Sequence, residues 1–239
     1  MPRRNWSPDE QLLALRLYCA LPFGKLHQSN PDVITIAETI GRTPSAVAMK
    51  ACNFASLDPA LARQGLGNVS RADRELWTAF QQNSDDIAAE AEAVYEKVVG
   101  ADREIDNVDT LQAPQGETEV VRQVRTRRVQ NFFRRAVLVG YEYQCALSGL
   151  SIPDLLIASH IIPWKDNEAR RADPTNGIAL NALYDKAFDK GFFTLDDEYC
   201  VVLSKQLQAE MNDKKTVEEL FTIEGKMLIL PHRFRPDID

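Results

Sequence analysis

The chain has 239 residues, 44% hydrophobic and 26% charged, which suits one or two domains able to bury real cores. No apolar run reaches the roughly 20 residues that cross a bilayer, and the opening Met1-Pro2-Arg3-Arg4-Asn5-Trp6 lacks the apolar stretch of a secretory leader, so a cytosolic location is expected. Four scattered cysteines (Cys19, Cys52, Cys145, Cys200) with no C-x-x-C pair exclude a structural zinc site and a disulfide framework, and the net charge of -7 counts against a wholly basic nucleic-acid binder.

The first part, to about Phe80, reads as helical. Ser7-Pro8-Asp9-Glu10 is a capping box with proline at the first helical position, followed by Leu12, Leu13, Leu15, Leu17 and Tyr18. A second helix is predicted over about Asp32 to Ile40, with Val33, Ile36, Ala37 and Ile40 on one face, and Gly41 stops it. Thr43-Pro44 starts a third, Ser45 to Phe54, with Ala46, Val47 and Ala51 inward. Helix, glycine turn, helix is the helix-turn-helix arrangement, whose second helix can enter a major groove. Trp6-Ser7-Pro8-Asp9-Glu10 and Ile36 to Val47 carry a resemblance to Myb/SANT-like three-helix DNA-binding domains. On that resemblance Arg42, Ser45, Lys50 and Asn53 are the candidate outward-facing DNA contacts. Three-helix units also bind proteins, or only pack, and these alternatives stay open.

Residues 81–118 hold an Ala/Glu-rich helical stretch, Ala88 to Lys97, and then a weakly patterned polar segment, Gly100 to Gly116, read as a linker. Eleven acids against Lys97 and Arg103 between Asn83 and Glu119 give this stretch -9 and leave about +2 for the rest. From Val120 the character reverses. Arg122, Arg125, Arg127, Arg128, Arg134 and Arg135 lie within fourteen residues, interleaved with Val121, Val124, Val129, Phe132, Phe133, Val137 and Leu138. Helical spacing turns the apolar set inward. Six arginines with almost no compensating acid nearby predict contacts to DNA phosphates.

The chemistry-bearing stretch is Tyr141 to Thr194. Leu155 to Ile162 is an apolar, strand-like run interrupted by Ser159 and His160. Lys165 to Thr175 is a polar loop, Leu180 to Lys190 is helical and ends at Gly191, and Phe192 to Thr194 and Cys200 to Leu203 read as short strands. Met227 to Pro231 reads as one more strand. Strand, loop, strand, helix is the predicted order. His27 and His232 have no supporting context, and Trp164 reads as a packing residue.

Histidine on the first strand, Asn176-Gly177 after the loop and a carboxylate on the helix resemble the HNH endonuclease family with its ββα-metal fold. Phe132/Phe133, Cys145, His160-Ile161-Ile162-Pro163-Trp164, Asn176-Gly177 and Phe188-Asp189-Lys190-Gly191 are similar to a branch found among bacterial restriction-type nucleases, and the resemblance spans about Val120 to Ser204. It implies an α+β chain: a helical DNA-docking module (1–80), an acidic helix and linker (81–118) and a nuclease domain (119–239). It also implies hydrolysis of a phosphodiester in double-stranded DNA, giving a 3′-hydroxyl and a 5′-phosphate in a restriction or defence setting. A homodimer would bring two sites to two strands.

His160 would take the proton from water, Asn176 would brace the loop and the histidine, and one divalent ion, Mg²⁺ or Mn²⁺, would be held by Asp185 with lesser help from Ser159 and Asp189. Two departures stand out. The third motif position is Asp185 instead of His or Asn, and the residue before the motif histidine is Ser159 where Asp is common. They motivate the alternative of a DNA-binding regulator with a degenerate HNH site.

Overall fold

In the computed structural model, the described residues are 4–61, 69–100, 117–205, 207 and 219–238. Five helices form an N-terminal body: α1 (Pro8–Ala20), α2 (Pro31–Ile40), α3 (Pro44–Ala55), α4 (Arg71–Gln82) and α5 (Ser84–Val98). Local sequence sets each start. Ser7 and Glu10 close a reciprocal capping box on α1, Asn30 caps α2, Thr43 caps α3, Ser70 and Asp73 box α4, and Asn83 caps α5. Such caps contribute about 1 kcal/mol each. Gly41 ends α2 at φ 66°, a left-handed value that glycine adopts without strain. Two helices separated by a glycine turn therefore lie close to the positions their caps predict.

α1 is the axis of this body. Leu13, Leu15, Leu17 and Tyr18 are almost wholly buried, and they pack with Val33, Ile36, Val47, Phe54, Trp77 and Ala88. The 24-residue α6 (Glu117–Gly140) links this core to a second one. Val129, Phe132 and Ala136 join the helical core, while Phe133, Val137 and Leu138 belong to the other. The neighbours Phe132 and Phe133 therefore face two different interiors.

The second core supports β1 (Leu156–His160) paired antiparallel with β2 (Gly177–Asn181), followed at once by α7 (Ala182–Asp189). A smaller hairpin, β3 (Phe193–Leu195) with β4 (Val201–Leu203), packs beside α7. Met227 forms only an isolated bridge to Cys200, so the extra strand expected over Met227 to Pro231 is absent. Two registered strands, a 16-residue connection and a helix make a ββα unit. No helix of the described residues is long and apolar enough to cross a membrane.

The helix expected over Ala88 to Lys97 is α5, but it does not stand between two modules: it buries Ala88, Ala89, Ala91 and Tyr95 in the helical core, and Glu92 pairs with the buried Arg16 at 3.0 Å. The linker expected from Gly100 to Gly116 lies almost wholly outside the described residues. Nor does the helical body end near residue 80. It includes α5, one face of α6 and the returning Phe234, whose amide donates to Asp58 at 3.4 Å.

Candidate functional site

His160 closes β1 directly opposite Gly177 of β2. Its imidazole stacks on Phe133, with ring centroids 3.8 Å apart and planes 14° from parallel, and meets the edge of Trp164 at 5.6 Å. Nε2 lies 2.9 Å from the carbonyl oxygen of Arg171. A carbonyl only accepts, so Nε2 carries the hydrogen and Nδ1 keeps its lone pair. Burial lowers the pKa of His160 from its ordinary value, although the Arg171 carbonyl and the charge of Asp189 pull the other way. A neutral imidazole with one anchored nitrogen is the form a general base needs.

The anchoring loop is laced from several sides. Asn176 is buried; its Oδ1 accepts from the Ile162 amide at 2.7 Å, and its Nδ2 donates to the carbonyls of Ile162 and Arg170, each at 3.2 Å. Its own carbonyl accepts from the Ile161 amide. Asn176 thus ties together the two sides of the loop, at Ile161–Ile162 and at Arg170. The Arg171 guanidinium bonds the Trp164 carbonyl and Glu168 and lies over the Trp164 ring. Trp164 is a packing residue, as its sequence context suggests.

The first turn of α7 carries Asp185, and Asp189 follows one turn later. Burial raises the pKa of Asp185, the Ser159 hydroxyl lowers it, and the neighbouring Asp189 raises it. Ser159 is 2% exposed, and its hydroxyl faces Asp185 without completing a full hydrogen bond. The Ser159 hydroxyl and the Asp185 carboxylate it meets are hard oxygen ligands of the kind that Mg²⁺ or Mn²⁺ takes. Among the described residues no group of three or more His, Cys, Asp or Glu is close enough to enclose an ion. Water and substrate oxygens would therefore complete the shell around Asp185 and Ser159.

The comparison with known families bears on this unit alone. Residues 145–196 match the HNH endonuclease family. The match runs from Cys145 through the whole ββα unit and into the β3–β4 turn, and it leaves α1 to α6 outside. It supports a nuclease function for the HNH segment. No curated protein matches the chain.

The expected DNA contacts fare unevenly. Lys50 is 5% exposed and ion-paired with the fully buried Asp73, so it faces inward, not outward. Asn53 is half-buried and donates to the same Asp73 at 3.4 Å. Arg42 is spent on Glu10 and on the carbonyls of Arg4 and Asn5, over the ring of Trp6. Only Ser45 of the four is exposed. It borders an apolar hollow of about 410 Å³ with Phe23, Leu26, Ala48 and Met49.

On α6, Arg125 pairs with Asp85 and Asp86, Arg128 with Glu96 at 2.7 Å, and Arg135 with Glu92 at 3.2 Å. Arg134 donates to the carbonyls of Leu156 and Pro153, fixing the start of β1. The compensating acids do exist: they sit on α5, far off in sequence. Arg122 and Arg127 remain exposed, with no ion pair among the described residues.

The site residue that sequence reasoning missed is Phe133 as the floor under His160. Gly177 carried a signal for it. A Cβ there would lie 2.4 Å from Val137 Cγ2 and 2.8 Å from Phe133 Cζ, so only glycine lets β2 lie against α6.

Proposed function

We propose that this chain is a metal-dependent HNH endonuclease that hydrolyses phosphodiester bonds in double-stranded DNA. The observation that carries the reading is the His160 imidazole, held by the Arg171 carbonyl at Nε2 so that Nδ1 is the basic nitrogen, next in the chain to Ser159, whose hydroxyl meets Asp185 of α7. Nδ1 takes the proton from the attacking water. The loop braced by Asn176 carries the Arg171 carbonyl that holds the ring. Asp185 and Ser159 would hold the divalent ion, which supplies positive charge against the phosphate in the transition state. Arg122 and Arg127 are the α6 groups best placed to meet phosphates, because their neighbours are already paired. A restriction or defence role suits such an activity, and two copies would be needed to cut both strands at once.

The test is plasmid DNA, modified and unmodified, incubated with the protein and Mg²⁺ or Mn²⁺, beside a His160→Ala control. Cleavage is expected with wild type and a fall of about 10² to 10⁴ with the variant. The second reading, a DNA-binding regulator with a degenerate site, is motivated by Ser159 and by the sparse carboxylate set. It predicts DNA binding with no cleavage under any metal, and the same experiment separates the two.

A further inference from the structure

We infer that Phe133 is a positioning residue for the general base: its ring fixes the rotation of the His160 imidazole that the hydrogen bond to Arg171 leaves free. This rests on the reading of His160 as the base.

A ring held by one N–H···O contact can still pivot about that contact's axis. A flat face at 3.8 Å and 14° removes the pivot, because turning the imidazole would drive its edge into the phenyl ring. The Trp164 edge, 5.6 Å away and nearly perpendicular, closes the side. Together these contacts aim the Nδ1 lone pair in one direction.

The phenyl ring is itself immobile. Phe133 is 2% exposed, its Cζ sits close against Gly177, and Arg134 beside it is bonded to the carbonyl of Leu156 at the start of β1. Its neighbour Phe132 is anchored in the other core against Phe80 at 5.7 Å. The side chain aiming the base is thus held by α6, outside the segment that matches the HNH family.

The experiment compares Phe133→Leu, Phe133→Met and Phe132→Leu in the full chain, by proton NMR of the imidazole C–H signals at fixed pH and by plasmid cleavage below the unfolding temperature. The chain has three histidines, and His27 and His232 are exposed, so the His160 signals stand apart. In wild type they should be displaced upfield by the ring beneath them.

Both Phe133 variants should lose that displacement and lose about 10- to 100-fold in kcat with KM unchanged, the size expected when a reacting group is misaimed. Methionine fills the space flexibly and guards against a simple packing failure. Phe132→Leu should lower Tm similarly while keeping both the shift and kcat. Loss of the shift with kcat retained overturns the inference, and so does an equal kcat loss in Phe132→Leu. If wild type cuts no DNA, the nuclease reading fails. The aiming role for the base then fails with it, while an unshifted wild-type His160 signal would overturn the stack by itself.

Discussion

At the scale of single residues, the site turns on which protonation and hydrogen-bonding states burial permits. Burial shifts His160 downward, so its imidazole should stay neutral to a lower pH than an exposed histidine near 6.5. On the proposed reading His160 is a base that works when neutral, so kcat/KM should rise with pH through an acid limb placed below 6.5 and then level off. Cleavage rates from pH 5 to 8 read this directly, and a limb above 7 would contradict the burial argument. Asn176 offers a second prediction. Its amide satisfies three buried backbone groups, so Asn176→Ala should cost on the order of 2–4 kcal/mol. Asn176→Asp should be worse, because a carboxylate can still accept from the Ile162 amide but faces the Ile162 and Arg170 carbonyls with nothing to donate. Thermal melts of both variants check the order, and equal Tm values would show that the amide donor is unimportant.

At the scale of elements, α5 and α6 form a matched pair in which acids on one answer arginines on the other. Arg125, Arg128 and Arg135 are engaged there, while Arg122 and Arg127 are exposed and are the ones proposed to meet phosphates. Removing Arg122 or Arg127 should weaken DNA binding and reduce the salt slope by about 1 each, whereas Arg128→Ala should leave the slope unchanged and lower Tm. Affinity measured at several salt concentrations checks this, and an equal slope change for Arg128→Ala would mean that the pairing does not hold in the complex.

The same two helices show what a sequence can and cannot reveal. The ββα unit was legible because its signals are local: an apolar strand-like run, Asn176-Gly177, and a helix ending at Gly191. The caps of α1 to α3 were legible for the same reason. Arg128 and Glu96 are 32 positions apart, and Arg135 and Glu92 are 43 apart, so neither pair leaves a periodic trace. Without them the arginines read as uncompensated and α5 as an acidic helix set between two modules. Lys50 was misplaced for a related reason. Its spacing puts it on the inner face with Ala46, Val47 and Ala51, but a charged side chain reads as outward until α4 delivers Asp73 against it.

At the scale of the whole molecule, the two cores cannot be independent, because one rigid helix fills part of each. α6 sends Phe132 into the helical body and Phe133 under His160, and the chain's end returns to bind the helical body, where the Phe234 amide donates to Asp58 and Arg233 to the Tyr18 carbonyl. Asp237 adds a link to the site loop through Arg170 at 3.0 Å and the Thr175 carbonyl at 2.8 Å. Unfolding either half would therefore strand apolar surface of α6 in water and break ion pairs reaching the other. A single cooperative transition is expected, despite a sequence that reads as two modules. Phe132→Ala is the sharpest probe. Truncating a side chain that is 1% exposed should cost about 3–5 kcal/mol, and the loss should appear equally in α1 and in the β1–β2 pair, although Phe132 belongs only to the helical core. Hydrogen exchange followed by mass spectrometry, across a urea series, resolves peptides from both regions. If β1–β2 keeps its protection while α1 loses several kcal/mol, the helical body is a separable module, and any effect it has on the HNH segment must pass through DNA instead of through α6.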